Sequence, residues 1–420
     1  HIMPLMHGIN RRNGELNLDD ISLSDLAISH GTPSYVYSAS LIKENFLAYK
    51  DSIRTNDKVC FAVKSNSNTN ILKLLKSMGS GFDVVSGNEL KRCLVAGAQA
   101  KDIVFSGVGK TIEEITLAVK ENIYSINIES ESELERIIHI TNEMGKTANC
   151  AIRVNPDISS ESHPYISTGL KSSKFGVTSE VALKMVKRIE ENENVNLIGL
   201  ACHIGSQITK PELILESLDH LIKLTVEINK DTKRISFLDI GGGLGITYKD
   251  EESANAKDII KRVLEKIKDL DFDLVIEPGR SIVGNAGVLL SQVEYIKETE
   301  TTNFAVVDAG MNDLMRPSLY SAWHNVSAVK DSELPEKNYE IVGPVCESAD
   351  SLAKNRSLKI EEGSFIAIHD VGAYGYSMAS NYNSRLRPPE IMVDGLKVSV
   401  IKRKETFEEL ISFEDNKNEN

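Results

Sequence analysis

The sequence predicts an α/β protein with a (β/α)8 TIM-type barrel and a second, all-β domain of the sandwich or barrel type. Between residues 59 and 279, eight short apolar runs alternate with segments whose apolar residues recur with the period of an amphipathic helix. From about residue 286 onward, β-rich segments separated by turns replace this alternation. The chain has 420 residues, more than one hydrophobic core usually supports, which agrees with two domains.

The eight apolar runs are interpreted as strands of a parallel sheet. They are apolar without strict alternation, as is typical of strands that are buried on both faces. Eight strand and helix units in this length match a closed barrel better than an open, doubly wound sheet. The runs are VCFAVKS (59–65), FDVVS (82–86), DIVFSG (102–107), YSINIES (124–130), NCAIRVNP (149–156), LIGLACHIG (197–205), FLDIGGG (237–243) and LVIEPG (274–279).

The second domain is predicted from the strand-like segments that follow the barrel. The stretch PSYVYS (33–38), ahead of the barrel, is another strand candidate, so we expect the N-terminal segment to join the β domain. We therefore predict a barrel domain over residues 36–285 and a β domain over residues 4–35 plus 286–420. The segments of the second domain include VLLSQVEYIKE, TNFAVVDAG, YEIVGPVCE, SFIAIHDVGAYG and PPEIMVDGLKVSVIK.

Charge and cysteine content exclude several classes of protein. The formal net charge of −13 disfavours nucleic acid and anionic membranes as partners, and no apolar stretch is long enough to span a bilayer. The cysteines are odd in number and form no CxxC pair, which argues against a disulfide framework and a zinc site. We therefore expect a cytoplasmic protein without a bound metal. The five cysteines are Cys60, Cys93, Cys150, Cys202 and Cys346.

Polar residues and glycines appear at the carboxyl end of the predicted strands, the face at which barrels of this kind carry their active sites. A lone serine at such a position more often satisfies a loop than takes part in function. A lysine, a histidine, an arginine and a glutamate at one barrel mouth are harder to explain in that way. The strand-end residues are Lys64, Ser86, Ser106, Arg153, His203, Gly241 and Glu277.

The residue types at these strand ends together favour a phosphorylated aldehyde cofactor. Burial lowers the pKa of a lysine, and the neutral amine of Lys64 could form a Schiff base with an aldehyde. The glycine clusters at 241–245 and 277–281 could bind a phosphate through backbone N–H groups. Glu277 could hold a proton on a pyridine nitrogen, and the imidazole of His203 could lie flat on the ring. Each signal is weak alone, but their combination selects pyridoxal 5'-phosphate (PLP).

These motifs resemble those of the fold type III PLP-dependent enzymes and, within them, the diaminopimelate decarboxylase family. The resemblance covers nearly the whole chain, and no motif position departs from the family pattern. The motifs are FAVKSN (61–66), HIGSQ (203–207), DIGGGLG (239–245), EPGRSIV (277–283), DAGMNDLMRPSLY (308–320), GPVCESAD (343–350) and GAYGYSM (372–378).

The resemblance implies a role for each matching residue. Lys64 would carry the cofactor, His203 would stack on its ring, and Glu277 would bind the pyridine nitrogen. Cys346 would be the acid that returns a proton to carbon. The phosphate end would be held by Gly243, Gly279, Arg280 and Tyr374, with Ser206 close by. Substrate would be contacted by Arg280, Arg316, Tyr320, Glu347 and Tyr374.

The family resemblance also implies the reaction and the assembly. The reaction would be the decarboxylation of meso-2,6-diaminopimelate to L-lysine and CO2, the last step of lysine biosynthesis. In the family, the matching cysteine and glutamate enter the site from the other subunit of a head-to-tail dimer, so we expect a homodimer with shared active sites.

Two alternative functions stay open at this point. A decarboxylase of ornithine, lysine, arginine or carboxynorspermidine could use the same scaffold, although CESAD in place of the CDG typical of ornithine enzymes favours diaminopimelate. An alanine racemase is less favoured, because no matching tyrosine-base motif is present. A non-catalytic binding protein of the same fold would typically alter the lysine, glycine or cysteine positions, and all of these are intact here.

Overall fold

The computed structural model describes residues 8–156, 173–231, 234–253 and 255–414. The chain divides into two compact units. The barrel unit comprises residues 45–246 and 252–281, and the β unit comprises residues up to 44, residues 247–251 and residues from 282 onward. Within the described ranges, no helix combines the length and the apolar character needed to cross a membrane.

The first described elements of the β unit form a small antiparallel sheet, which a helix follows. Ser22 caps the first helix by accepting a hydrogen bond from the Asp25 N–H (3.1 Å), and Gly31 ends the helix with a positive φ of 79°. The small sheet has the order β1-β2-β3. The elements are β1 (Ile9–Arg12), β2 (Glu15–Leu18), β3 (Ile21–Ser22), α1 (Leu23–His30), β4 (Ser34–Ser38) and α2 (Ala39–Lys50).

Eight parallel strands then form a closed barrel in the order β10-β11-β12-β5-β6-β7-β8-β9. Each of the predicted apolar runs overlaps one of these strands, so the predicted barrel is confirmed. The strands are β5 (Lys58–Ala62), β6 (Gly81–Val84), β7 (Ile103–Phe105), β8 (Ser125–Ile128), β9 (Ala148–Arg153), β10 (Val195–Ala201), β11 (Phe237–Asp239) and β12 (Asp273–Ile276).

Helices connect the barrel strands, and most begin at a hydroxyl or amide cap. Ser86 is one such cap, since its Oγ accepts the Glu89 N–H at 3.1 Å. The serine that follows β6 therefore satisfies a helix terminus. The helices are α3 (Thr69–Ser77), α4 (Gly87–Val95), α5 (Ile112–Glu121), α6 (Glu131–Met144), α7 (Ser179–Glu190), α8 (Pro211–Ile228), α9 (Ala256–Ile267) and α10 (Arg280–Val283).

The barrel interior is packed with apolar side chains. One fully buried cluster comprises Cys60, Val104, Ala151, Phe237 and Val275, one residue from each of five strands. The ring of Phe237 lies against the backbone of Gly199, where an added Cβ would be 2.2 Å from the ring. The interior is therefore a packed core and not a pore, so an active site can form only at the ends of the strands.

The rest of the β unit is a larger sheet of nine strands. Strand β4 pairs with two of its members, β13 (Gly287–Glu298) and β19 (Glu390–Asp394), so the N-terminal segment contributes to this sheet. The prediction placed the barrel boundary at residue 36, inside β4. The other elements are β14 (Asn303–Val307), α11 (Arg316–Tyr320), β15 (Val326–Ala328), β16 (Lys337–Val342), β17 (Ser351–Leu358), β18 (Phe365–Ile368), β20 (Lys397–Lys402) and α12 (Phe407–Leu410).

A buried apolar cluster holds the small N-terminal sheet and helix α1 against the larger sheet of the β unit. Leu18 and Leu23 from the N-terminal elements pack with Val36 of β4 and Leu290 of β13, all fully buried. The second domain was predicted to be all-β; the β unit is rich in sheet, but helices α1, α11 and α12 lie among its described strands.

Candidate active site

Lys64 lies in a 3-10 turn, Val63–Ser65, that follows strand β5 directly. Its side chain is partly buried, and the turn is fixed by the Ser65 hydroxyl, which donates to the Ala62 carbonyl at 2.8 Å. The ammonium group is therefore held at the mouth of the barrel.

Glu277 follows strand β12, the neighbour of β5 in the barrel, and its side chain is buried. Burial raises the pKa of its carboxyl well above the ordinary value, and the charge of Asp239 raises it further. The positive charge of Lys64 acts in the opposite direction. Among the described residues, no donor group reaches the buried Oε2 atom of Glu277.

Asp239 ends strand β11, the next neighbour in the barrel, and is fully buried. Its Oδ1 accepts the Gly241 N–H at 2.8 Å, and burial raises its pKa to about 6. The two carboxyl groups are close enough to affect each other: Glu277 lowers the pKa of Asp239, whereas Asp239 raises the pKa of Glu277. The two residues thus form a buried carboxyl pair.

Asp83 lies on strand β6, on the other side of β5. Burial raises the pKa of this carboxyl well above the ordinary value, whereas the charge of Lys64 and a hydrogen bond from the Ser106 hydroxyl lower it. Ser106 thus hydrogen-bonds to the Asp83 carboxyl, just as Ser86 caps a helix. The three carboxyl groups and the lysine lie on, or directly after, four consecutive barrel strands, β11, β12, β5 and β6.

His203 follows strand β10 and is half-buried. Its Nδ1 accepts the Gly242 N–H at 3.3 Å, and burial, followed by the charge of Lys64, lowers its pKa well below the ordinary value. The imidazole is therefore neutral, with its proton on Nε2. A Cβ on Gly241 would lie 2.6 Å from Nδ1, so only glycine allows this approach of the loop to the ring.

The remaining predicted cofactor residues of the barrel lie on loops that touch through their backbones. Gly243 has a φ of 86°, and a Cβ there would be 2.1 Å from the Gly205 carbonyl oxygen. A Cβ on Gly279 would be 2.9 Å from the Ser65 Oγ, in the turn that carries the lysine. Arg280 donates from its guanidinium to the Ser206 hydroxyl at 2.7 Å. A cation and a hydroxyl group thus lie together beside the glycine loops, a donor set suited to a phosphate.

Arg153, the last residue of β9, makes a buried ion pair with Glu129 at 2.7 Å. Its charge lowers the pKa of both His203 and Glu277. Arg153 therefore belongs electrostatically to the same barrel mouth.

In the β unit, the predicted substrate residues occupy one short helix and two loops. Arg316 begins helix α11 and is buried, whereas Tyr320 ends that helix and is 61% exposed. Cys346 and Glu347 are adjacent and exposed, and the Glu347 Oε1 accepts the Tyr382 hydroxyl at 3.3 Å. Tyr374 is half-buried with a φ of 57°, a left-handed conformation that is uncommon outside glycine.

Comparison with known proteins agrees with this arrangement. The family described as pyridoxal-dependent decarboxylase, pyridoxal binding domain, matches residues 39–284. The diaminopimelate decarboxylase of Pseudomonas aeruginosa is 45% identical over 97% of this chain and 99% of its own length. The chain belongs to the diaminopimelate decarboxylase family.

Solved structures support the family assignment at the level of the fold. A diaminopimelate decarboxylase from M. jannaschii in complex with L-lysine has a TM-score of 0.93 and 40% identity, over 97% of this chain and 98% of that chain. A lysine decarboxylase from Selenomonas ruminantium, with 22% identity and a TM-score of 0.80, shares the fold alone. The diaminopimelate decarboxylase family is therefore favoured over the diamine-forming relatives.

PLP is the cofactor of this protein, and the residues at the barrel mouth fit PLP. A protonated pyridine nitrogen would supply the donor that Glu277 Oε2 lacks among the described residues. The pair formed by Arg280 and Ser206 suits the phosphate, and Lys64 suits the aldehyde. In the described part of the chain, no cluster of three or more His, Cys, Asp or Glu side chains is arranged to hold a metal ion.

Sequence reasoning assigned no role to the buried carboxyl groups of Asp83 and Asp239. Asp239 precedes the glycine triplet, and its position in the motif DIGGGLG was the one available signal. Asp83 stands alone among apolar residues in FDVVS, and nothing in that run distinguishes it from an ordinary strand residue.

Replacing Asp239 by asparagine should change how stability depends on pH. Burial raises the pKa of Asp239 from 3.8 to about 6, so its contribution to stability is complete at low pH and is lost as the pH rises through about 6. Asparagine does not titrate. The free energy of unfolding of Asp239→Asn relative to wild type should therefore increase by about 2 kcal/mol between about pH 4.5 and about pH 7.5. Urea denaturation of the cofactor-free proteins measures this difference, and a constant difference would contradict the raised pKa.

Proposed function

We propose that this protein decarboxylates meso-2,6-diaminopimelate to L-lysine and CO2, the last step of lysine biosynthesis. The observation that carries the proposal is the similarity to diaminopimelate decarboxylases over nearly the full length of both chains. It covers the residues of the barrel mouth and those of the β unit alike. L-lysine, the ligand of the related M. jannaschii structure, is the product of the proposed reaction.

The barrel residues are proposed to hold the cofactor. PLP, when bound, supplies an electron sink for the electron pair that the departing CO2 leaves behind. Lys64 would hold the aldehyde carbon, and Glu277 would keep the ring nitrogen protonated through Oε2. The neutral imidazole of His203 would offer its flat face to the ring. The phosphate would be bound by Ser206, Gly243, Gly279, Arg280 and Tyr374.

The β-unit residues are proposed to select and orient the substrate. Diaminopimelate carries a carboxylate and an ammonium group at its distal end, so an arginine and a glutamate are needed together. Arg316 would bind the distal carboxylate and Glu347 the distal ammonium, with Arg280, Tyr320 and Tyr374 completing the contacts. Gripping the distal end fixes the orientation of the bond that breaks. The Cys346 Sγ would then donate a proton to the carbon that lost CO2.

The proposed assembly is a homodimer in the cytoplasm, with Cys346 and Glu347 completing the site of the partner subunit. Both residues are exposed in the single chain, which leaves them accessible to a second copy. All five cysteines are free thiols, which agrees with a reducing compartment.

Lys64 should be the residue that carries the cofactor. Its amine is held at the barrel mouth beside the buried carboxyl groups, and borohydride reduction of the holoenzyme should fix the cofactor on it covalently. Peptide mapping by mass spectrometry should place the label on the peptide that contains residue 64. Label on another lysine, such as the buried Lys110, would refute the assignment.

Mixing two inactive variants should restore activity if sites are shared between subunits. Lys64→Ala and Cys346→Ala each remove one essential group, but a mixed dimer would contain one site with both groups intact. We expect about a quarter of wild-type activity after subunit exchange at equal concentrations, since about half of the dimers are mixed and each has one intact site. No recovery, with exchange verified by mass spectrometry, would argue that each chain completes its own site.

Substrate selectivity tests the proposed function itself. Arg316→Ala and Glu347→Ala each leave a charged group of the substrate without its partner, so each should lower kcat/KM for meso-diaminopimelate at least about a hundredfold. The absorbance spectrum of the bound cofactor should not change, because neither residue is assigned to the ring or the phosphate.

Product analysis with rival substrates provides the control for this experiment. Wild-type protein should act only weakly on L-lysine and L-ornithine, which lack the distal carboxylate. Equal turnover of either compound and meso-diaminopimelate would replace the proposed function with that of a diamine-forming decarboxylase.

A further inference from the structure

In the β unit, the guanidinium of Arg316 contacts the side chains of His324 and Tyr248. Its Nη1 lies 2.8 Å from the Nε2 of His324, and its guanidinium carbon lies 4.6 Å from the centre of the Tyr248 ring. Arg316 is 8% exposed and His324 is fully buried. The arginine is therefore fixed within the protein from more than one side.

The tautomer of His324 follows from its second hydrogen bond. Its Nδ1 lies 2.8 Å from the main-chain carbonyl oxygen of His369. A carbonyl oxygen can only accept, so Nδ1 carries the proton. Nε2 is left with a lone pair, which accepts the N–H of Arg316. A second proton on the ring would point at the guanidinium and break this contact.

The local backbone brings His324 back to Arg316. Helix α11 ends after one turn because Ser321 adopts a left-handed conformation, with a φ of 53°. The Ala322 N–H then donates to the Arg316 carbonyl at 3.4 Å, which closes the turn. Further on, the His324 carbonyl accepts from Arg356 at 2.7 Å, and its ring packs edge-on against Tyr248 at 5.3 Å.

We infer that His324 is a positioning residue for substrate selection: the lone pair on its Nε2 accepts from Arg316 and so orients the guanidinium. The inference rests on the proposed function, in which Arg316 binds the distal carboxylate of the substrate. A carboxylate in place of His324 would also hold the arginine, but it would neutralise the charge and compete with the substrate. A neutral acceptor gives orientation without that competition.

Two substitutions of His324 separate positioning from packing. Glutamine can place an amide oxygen near the position of Nε2, so His324→Gln keeps an acceptor for Arg316. Leucine has a similar volume but no acceptor, so His324→Leu removes it. His369→Gln is the matched control, because the His369 side chain bonds to Ser327 at 2.9 Å and only its main-chain carbonyl supports His324.

Steady-state kinetics of the holoenzymes give the first readout. His324→Leu should raise KM for meso-diaminopimelate about tenfold to a hundredfold, with a smaller effect on kcat, because a hydrogen bond that orients a charged group is lost. His324→Gln should recover most of this loss, and His369→Gln should behave as wild type. Inhibition by L-lysine, which lacks the distal carboxylate, should be the same in all four proteins. An equal loss of affinity for L-lysine and for substrate would mean that His324 acts only through folding, and would overturn the inference.

Solid-state 15N NMR of protein labelled at histidine gives a readout that does not depend on substrate. His324, assigned by the signal that disappears in His324→Gln, should be a neutral ring protonated at Nδ1. A ring protonated at Nε2, or at both nitrogens, would overturn the inference whatever the substrate.

Arg316→Ala distinguishes a failure of this inference from a failure of the proposed function. If Arg316→Ala impairs turnover of meso-diaminopimelate and His324→Leu does not, the positioning role is wrong and the role of Arg316 stands. If neither variant impairs turnover, the substrate role of Arg316 is wrong, and the positioning role falls with it.

Discussion

The burial of carboxyl groups at the barrel mouth is the constraint on which the site depends. An ionised carboxyl without a partner is costly to remove from water, so such a group takes up a proton or requires a cation nearby. Asp239, Glu277 and Asp83 are buried on or directly after β11, β12 and β6, and Lys64 follows β5, which lies between β12 and β6 in the barrel. The closed barrel makes this arrangement possible, because β12 pairs with β5, so Val275 lies opposite Lys58 although the two are far apart in the sequence. Desolvation thus couples the protonation of the carboxyl groups to the charge of the lysine.

The barrel was predictable from the sequence because its signal is local and repeated. Each of the eight strands overlaps one apolar run, and the helices between them follow the amphipathic period. The signal is weaker at the ends of elements. Lys64 was placed at the tip of a strand, whereas the strand ends at Ala62 and the lysine lies in the following 3-10 turn. The predicted end of this strand differs from the observed end because a buried apolar run does not reveal where backbone pairing stops.

Partners of single polar residues were not predictable. Asp83 is one carboxyl in an apolar run, and its proximity to Lys64 and Glu277 depends on which strands become neighbours. The contact of His324 with Arg316 depends on the left-handed Ser321, a conformation for which the sequence SLYSAWH gives no turn signal. Glycines were more informative. The triplet at 241–243 is required because loops after β10, β11 and β12 touch through their backbones, where any side chain would collide.

The division of the chain into two units has a consequence for protein engineering. The residues that fit the cofactor lie mainly in the barrel unit. The glycine loops among them make close backbone contacts that leave no room for an added side chain. Arg316, Glu347 and His324 belong to the β unit, on a short helix and on loops. A library that varies Arg316 and Glu347 but keeps Cys346 and Tyr374 would leave unchanged the residues proposed to bind the cofactor and to return the proton. Selection for new amino-acid substrates could then act on recognition, with the chemistry held fixed.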